Sequence, residues 1–94
     1  MISIAVRYHN LLRRTTGLAE ETVALGEGTS VGDLLLHLAQ RHGAPLREML
    51  LEPEGGISLH LVVFCNQRLV RRDGYDGLLS HGDEMMLFPA ISGG

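Results

Sequence analysis

The sequence contains no lysine; all 8 of its basic residues are arginines. No side chain in it can therefore form a Schiff base or accept an isopeptide bond. Cysteine occurs once, as Cys65, which excludes an internal disulfide and a cysteine-built zinc cluster and agrees with a reducing, cytoplasmic setting. Positive charge is outweighed, with 8 basic against 11 acidic residues and a formal net charge of −3, so nucleic acid is not expected as a partner. Long hydrophobic runs are missing too. The longest, Leu61 to Cys65, falls far short of the roughly 20 residues that span a bilayer. No basic segment followed by an apolar one opens the chain, so neither a secretory signal nor a membrane partner is expected. What is present is core-forming material: 45% apolar residues in a chain of 94 supports one compact domain and is too little for two.

The apolar residues fall into two periods. Ile2, Ile4, Val6 and Tyr8 share one parity while Ser3, Ala5, Arg7 and His9 share the other, as in a half-buried strand. Asn10 to Thr16, polar and basic apart from Leu11 and Leu12, reads as a loop punctuated by Gly17. Glu21 to Leu25 reads as a second strand that can pair with the first. Ser30 is a good helix N-cap, and Asp33 three residues later completes a capping box. Val31, Leu34, Leu35, Leu38, Ala39 and His42 then line one helical face. Gly43 suits a left-handed C-terminal cap, and Pro45 stops continuation. Leu46 to Leu51 allows one short helical turn, and Glu52 to Gly56 is a loop. Ile57 to Asn66 reads as the strongest strand, with Leu59, Leu61, Val63 and Cys65 on one side and Val62 and Phe64 on the other. A strand apolar on both sides is either central in a covered sheet or presents one side to a partner. Asn66-Gln67 turns into Arg68 to Val70, a turn-rich stretch follows with Leu78 and Leu79 as its anchor, and Glu84 to Phe88 forms the last strand, ended by Pro89. The order strand, strand, helix, strand, strand, strand predicts an α+β fold of the β-grasp type. One main helix packs across a mixed sheet of four to five strands over residues 1–89, and residues 90–94 form a flexible extended tail.

None of the usual catalytic constellations is present. The histidines His9, His37, His42, His60 and His81 are scattered, and His37 and His42 do not share a helix face for metal binding. Cys65, in the middle of an apolar strand, reads as a buried inert thiol. Asp83 and Glu84 point to opposite faces of a strand and cannot act as a paired acid and base. The tail is different. Ala90, Ile91, Ser92, Gly93 and Gly94 extend at most about 17 Å, and glycines without Cβ atoms can enter a narrow cleft. The group delivered is the Gly94 carboxylate, a poor acyl donor until it is activated. A mixed anhydride with AMP would make it reactive, and a sulfur nucleophile would then give a thiocarboxylate. A separate ATP-using enzyme has to supply that step.

These residues resemble the MoaD/ThiS family of ubiquitin-like sulfur carriers over nearly the whole chain. Val6-Arg7-Tyr8 with Leu12-Arg13 and Gly17 resembles the family's first strand and loop, and Thr29 through Leu34 resembles its helix start. Asn66 through Val70 is similar to its hairpin, and Gly82-Asp83-Glu84 through Leu87-Phe88-Pro89 to Gly93-Gly94 is similar to its signature end. The resemblance implies a carrier rather than an enzyme, with no bound cofactor or metal. ATP is used by a ubiquitin-activating-like adenylyltransferase, and a sulfurtransferase supplies the sulfur. A sulfur-accepting synthase, such as the molybdopterin synthase large subunit, receives it. Gly94 would bear the adenylate and then the thiocarboxylate, with Gly93 as its thin neck. Phe88, Leu69 and Phe64 would form an apolar partner-binding patch beside Pro89, Ala90, Ile91 and Ser92, and Arg13 is either a partner contact or a solvated loop charge. The most expected pathway is molybdenum cofactor biosynthesis or a related sulfur-metabolite route. Conjugation of Gly94 to lysines of other proteins and a simple binding module are the alternatives. Three departures stand out: Ala90 replaces a frequent second proline, His9 replaces a frequent aromatic, and Gly43 to Ser58 is long, as in carriers serving cysteine-type metabolites.

Overall fold

A computed structural model describes residues 1–90 of the chain. Five strands and three helices follow in the order β1 (Ile2–Tyr8), α1 (Leu11–Thr16), β2 (Glu20–Leu25), α2 (Val31–His42), α3 (Ala44–Leu50), β3 (Leu61–Cys65), β4 (Arg68–Leu69) and β5 (Glu84–Pro89). The strands form one mixed sheet in the order β2-β1-β5-β3-β4. The outer pairs are antiparallel and the central β1–β5 pair is parallel, with Val6 opposite Met85 and Tyr8 opposite Leu87. This is the β-grasp arrangement expected from the element order. The Gly-Gly end and its neighbours Ile91 and Ser92 lie outside the described residues.

Alternation decides which face is covered. Ile2, Ile4, Val6, Tyr8, Val23, Leu25, Leu61, Val63, Met85 and Leu87 are buried, together with Val31, Leu34, Leu35, Leu38 and Ala39 of α2. Leu12 of α1 and Leu46 and Leu50 of α3 complete the core. The opposite parity carries Ala5 and Arg7 on β1, with His9 just past its end, Val62 and Phe64 on β3, Leu69 on β4, and Glu84, Met86 and Phe88 on β5. Among the described residues, no helix covers that side.

The start of α2 accounts for every orphan N–H of its first turn. The Ser30 side chain accepts from the Asp33 N–H at 3.0 Å, and the Asp33 carboxylate accepts from the Ser30 N–H at 3.1 Å, so the capping box forms as expected. The Val31 and Gly32 N–H groups donate to the Gly77 and Tyr75 carbonyls at 2.9 and 2.8 Å. That approach favours glycine at position 32, where a Cβ would lie a tight 3.3 Å from the Tyr75 carbonyl oxygen.

Several expectations need correction. Residues 11–16 are helical rather than a loop: α1 buries Leu12 and closes with the Gly17 N–H on the Arg13 carbonyl. α2 ends at His42 as expected, and Pro45 sits in the first turn of the separate helix α3, where its missing N–H costs nothing. Gly43 between the helices has φ 84° and ψ −162°, a positive φ but not the left-handed helical cap. α3 makes seven helical residues rather than a single turn. The strand expected over Ile57 to Asn66 is shorter. The Ser58 N–H turns back to the Leu50 carbonyl, and the Ser58 hydroxyl accepts from the His60 N–H. Leu59 is exposed as a result, and β3 begins at Leu61. Of the two anchors, only Leu79 is buried, while Leu78 is 69% exposed.

Candidate functional site

The exposed parity of β3, β4 and β5 gathers three of the residues expected in a partner patch. Phe64 faces Leu69 across the β3–β4 pair, and Met86 across the β3–β5 pair. The Phe64 and Phe88 rings meet edge to face, with centroids 5.8 Å apart. Phe64, Gln67, Met86 and Phe88 line a shallow depression of about 210 Å³. Leu69 stands at 55% exposure beside Phe64, so it is a surface residue and not part of the core. The Arg7–Glu84 ion pair, at 3.2 Å, borders the patch on the same face. Arg13 is exposed on α1, and its side chain makes no hydrogen bond or ion pair among the described residues.

β5 runs directly from this patch to the tail. Pro89 pairs with Leu61, and the Ala90 N–H donates to the His60 carbonyl, so the chain is held against β3 as far as Ala90. Pro89 and Ala90 thus follow directly in the chain from Phe88, which lines the depression. Ile91, Ser92, Gly93 and Gly94 were also expected to serve the site, and they lie outside the described residues.

His9 stands where the family resemblance implies an aromatic residue. Its ring stacks on Phe88 with centroids 4.2 Å apart and an interplanar angle of 8°, so the imidazole supplies the flat face that a carbocyclic ring would. The substitution leaves His9 Nε2 buried without a hydrogen-bond partner. An orphaned polar atom of this kind costs about 1–3 kcal/mol. His9→Phe keeps the stack and removes the orphan, and is expected to raise stability by about 1 kcal/mol. Urea unfolding checks this, and a destabilised variant would contradict it.

On the covered side lies a polar cluster that the sequence reading missed. Glu21 on β2 shares the inward parity of Val23 and Leu25, and its side chain is largely buried. A carboxylate can only accept, so the Tyr8 hydroxyl and the His42 Nε2–H both donate to Glu21 Oε2, each at 2.5 Å. Arg41 Nε lies 3.1 Å from Oε1. Burial acts to raise the Glu21 pKa, but the hydrogen bonds from Tyr8 and His42 and the charges of His42 and Arg41 outweigh it, holding the carboxyl below its ordinary range. Burial, followed by the Glu21 hydrogen bond and charge, pushes the Tyr8 hydroxyl far above its usual range. The signal was Glu21 and His42 both falling on apolar faces, which marks buried polar partners rather than surface groups.

A carboxyl depressed on folding contributes stability that is complete above its unfolded pKa and is lost as pH falls through the folded value. The protein is therefore expected to lose stability below about pH 5, in part through Glu21. Glu21→Gln should cost about 2 kcal/mol near neutrality and flatten the slope of melting temperature against pH on the acid side. Melting curves of both proteins across that range check this, and parallel slopes would contradict it.

Cys65 is half-buried, and burial, aided by the Asp83 charge, pushes its thiol up and away from the reactive thiolate. Among the described residues no group of three potential metal ligands converges, and no helix is long and apolar enough to cross a membrane. The exposed apolar depression is suited to docking a partner.

Comparison with known proteins agrees with this geometry. The sequence model of the ThiS family matches residues 6–94. The molybdopterin synthase sulfur carrier subunit of Chlamydomonas reinhardtii is 30% identical over 93 residues, covering 99% of this chain and 100% of the relative. The solution structure of small archaeal modifier protein 1 from Methanosarcina acetivorans is 26% identical with a TM-score of 0.83, covering 100% of this chain and 98% of that one. A chain in the Amycolatopsis orientalis BexX/CysO complex is 27% identical with a TM-score of 0.70, covering 97% of this chain and 99% of that one. With its fold and nearly its whole length matched, the chain belongs to the ThiS family of ubiquitin-like sulfur carriers.

Proposed function

We propose that this carrier is charged at the carboxyl of Gly94 and delivers sulfur to a molybdopterin synthase large subunit docked on its open sheet face. The observation that carries the reading is the continuity of β5, which joins Phe88 in the apolar patch to Ala90 at the root of the tail. A partner seated over Phe64, Leu69, Met86 and Phe88 has the last residues within reach of its own pocket. In the charging step a Gly94 carboxylate oxygen attacks the α-phosphorus of ATP and pyrophosphate leaves. Sulfide-level sulfur from a sulfurtransferase then attacks the acyl carbon, AMP leaves, and a thiocarboxylate remains. The adenylyltransferase supplies the acid–base and phosphate-binding groups, and this chain supplies the acyl group and the surface that aligns it. The 30% identical Chlamydomonas carrier favours the molybdopterin pathway. Mixing the sulfur-charged chain with a molybdopterin synthase large subunit and its pterin substrate should return the chain to the carboxylate form. Sulfur retained under those conditions would move the chain to another acceptor enzyme.

The likeness to an archaeal modifier protein favours a second reading, in which Gly94 is also joined to lysines of other proteins. A chain without lysine could not then be branched through its own side chains. Gly94 remnants on lysines of cellular proteins would support this reading. Recovery of the free chain alone would count against it.

A further inference from the structure

The turn between β3 and β4 is built from two non-glycine residues at positive φ, Asn66 at 52° and Gln67 at 70°. Asparagine is among the few residues that accept this conformation at modest cost, because its short polar side chain finds local partners. Here the partners are not local in sequence. Asn66 Oδ1 accepts from the Glu84 N–H at 2.9 Å, Asn66 Nδ2 donates to Asp83 Oδ1 at 2.9 Å, and the Asn66 N–H donates to the Glu84 carbonyl at 2.8 Å. The second Asp83 oxygen accepts from the Ser80 N–H at 2.7 Å. One side chain thus bridges the β3–β4 turn to the start of β5 and to the loop before it. β4 is short: it has two residues, both exposed, and pairs with β3 at Phe64–Leu69 and Cys65–Arg68, with the Val70 N–H donating to the Val63 carbonyl just beyond. That hairpin carries Gln67, which lines the depression, and Leu69, which stands beside Phe64.

We infer that Asn66 and Asp83 are positioning residues that hold the β3–β4 hairpin in register against β5, so that Gln67 and Leu69 meet a partner already in place. The inference rests on the open face being the docking surface. It assigns to the Gly-Asp-Glu turn and the Asn-Gln turn a joint role: they meet in space as a clamp on the binding patch. Neither residue touches the reacting carboxyl, so loss of the clamp should change how well the carrier docks and not how fast the docked tail reacts.

The test is sulfur transfer to the pterin substrate catalysed by the molybdopterin synthase large subunit, with the full carrier chain, charged as its thiocarboxylate, as varied substrate. Asn66→Gly keeps the positive φ at no steric cost and removes only the side-chain bridge. It is expected to raise KM for the carrier about fivefold while leaving kcat unchanged. Asn66→Asp places two carboxylates against each other and should raise KM further. Combining it with Asp83→Asn restores the bond between positions 66 and 83 with donor and acceptor exchanged, leaves the Glu84 and Ser80 N–H groups their side-chain acceptors, and should return KM toward that of the parent. A lowered melting temperature for Asn66→Gly with unchanged KM would overturn the inference and leave the bridge a purely structural one. A lowered kcat with unchanged KM would overturn it equally. Phe88→Arg run alongside separates the two levels. If it raises KM while Asn66→Gly does not, the clamp alone fails, and if it leaves KM unchanged the docking face itself is misplaced.

Discussion

Removal of Gly93 and Gly94 is expected to abolish thiocarboxylate formation while leaving the thermal unfolding transition where it was. The buried cluster runs from Ile2 to Leu87, and among the described residues the Ala90 N–H still donates to the His60 carbonyl. The truncation spares all of these residues. It does not spare the chemistry. The shortened chain ends in Ser92, whose Cβ and hydroxyl add bulk where the glycine pair presents none, and the acyl group stops two residues short, about 7 Å of extended chain. A displacement of even about 1 Å in a near-attack geometry can cost about a hundredfold in rate, so no measurable charging is expected. Continued charging of the truncated chain would contradict this, as would a fall of more than a few degrees in its melting temperature.

The second large effect is expected from Phe88→Arg. Phe88 lies between the His9 ring and the edge of Phe64 on the uncovered face, and it is only half-buried in the free chain. In a complex it would be the central aromatic anchor, the type of residue that carries about 2 kcal/mol or more of binding when buried by a partner. Replacing it by an arginine loses that burial and leaves a cation in a desolvated apolar contact. The dissociation constant for the sulfur-accepting subunit should rise at least about a hundredfold. Folding should suffer less, because Met85 and Leu87 on the covered side are untouched. Calorimetric titration with the partner and a melting curve of the variant check both halves. An unchanged affinity with a large fall in melting temperature would return Phe88 to the core.

How much of this could be read from the sequence follows from how local each signal is. α2 was legible end to end, because the capping box, the helical spacing from Val31 to His42 and Gly43 all lie within fourteen residues. The parity of β3 was legible for the same reason and placed Phe64 on the side opposite Val63, while Phe88 was anticipated in the patch only through the family resemblance. α1 was hidden. It is six residues long, starts at Asn10 with no side-chain cap, and buries only Leu12, too little for a helical period to show. The start of β3 was misjudged because alternation continues through Leu59, while Ser58 diverts the backbone by hydrogen bonds that no pattern displays. The patch was anticipated, but the bridge beside it and the polar cluster on the covered side were not. Glu21 reaches His42 across 21 positions of sequence and Asn66 reaches Asp83 across 17, and such pairings exist only once the sheet has formed.

Intact-mass spectrometry of the full chain tests the central claim most directly, after incubation with the activating enzyme, ATP and a sulfur donor. The account predicts a mass gain equal to the difference between sulfur and oxygen, confined to the C-terminal peptide and reversed by hydrolysis. An unchanged mass would contradict it. So would the gain of a whole sulfur atom on the peptide bearing Cys65, since the cargo would then ride on the thiol and not on the carboxyl of Gly94.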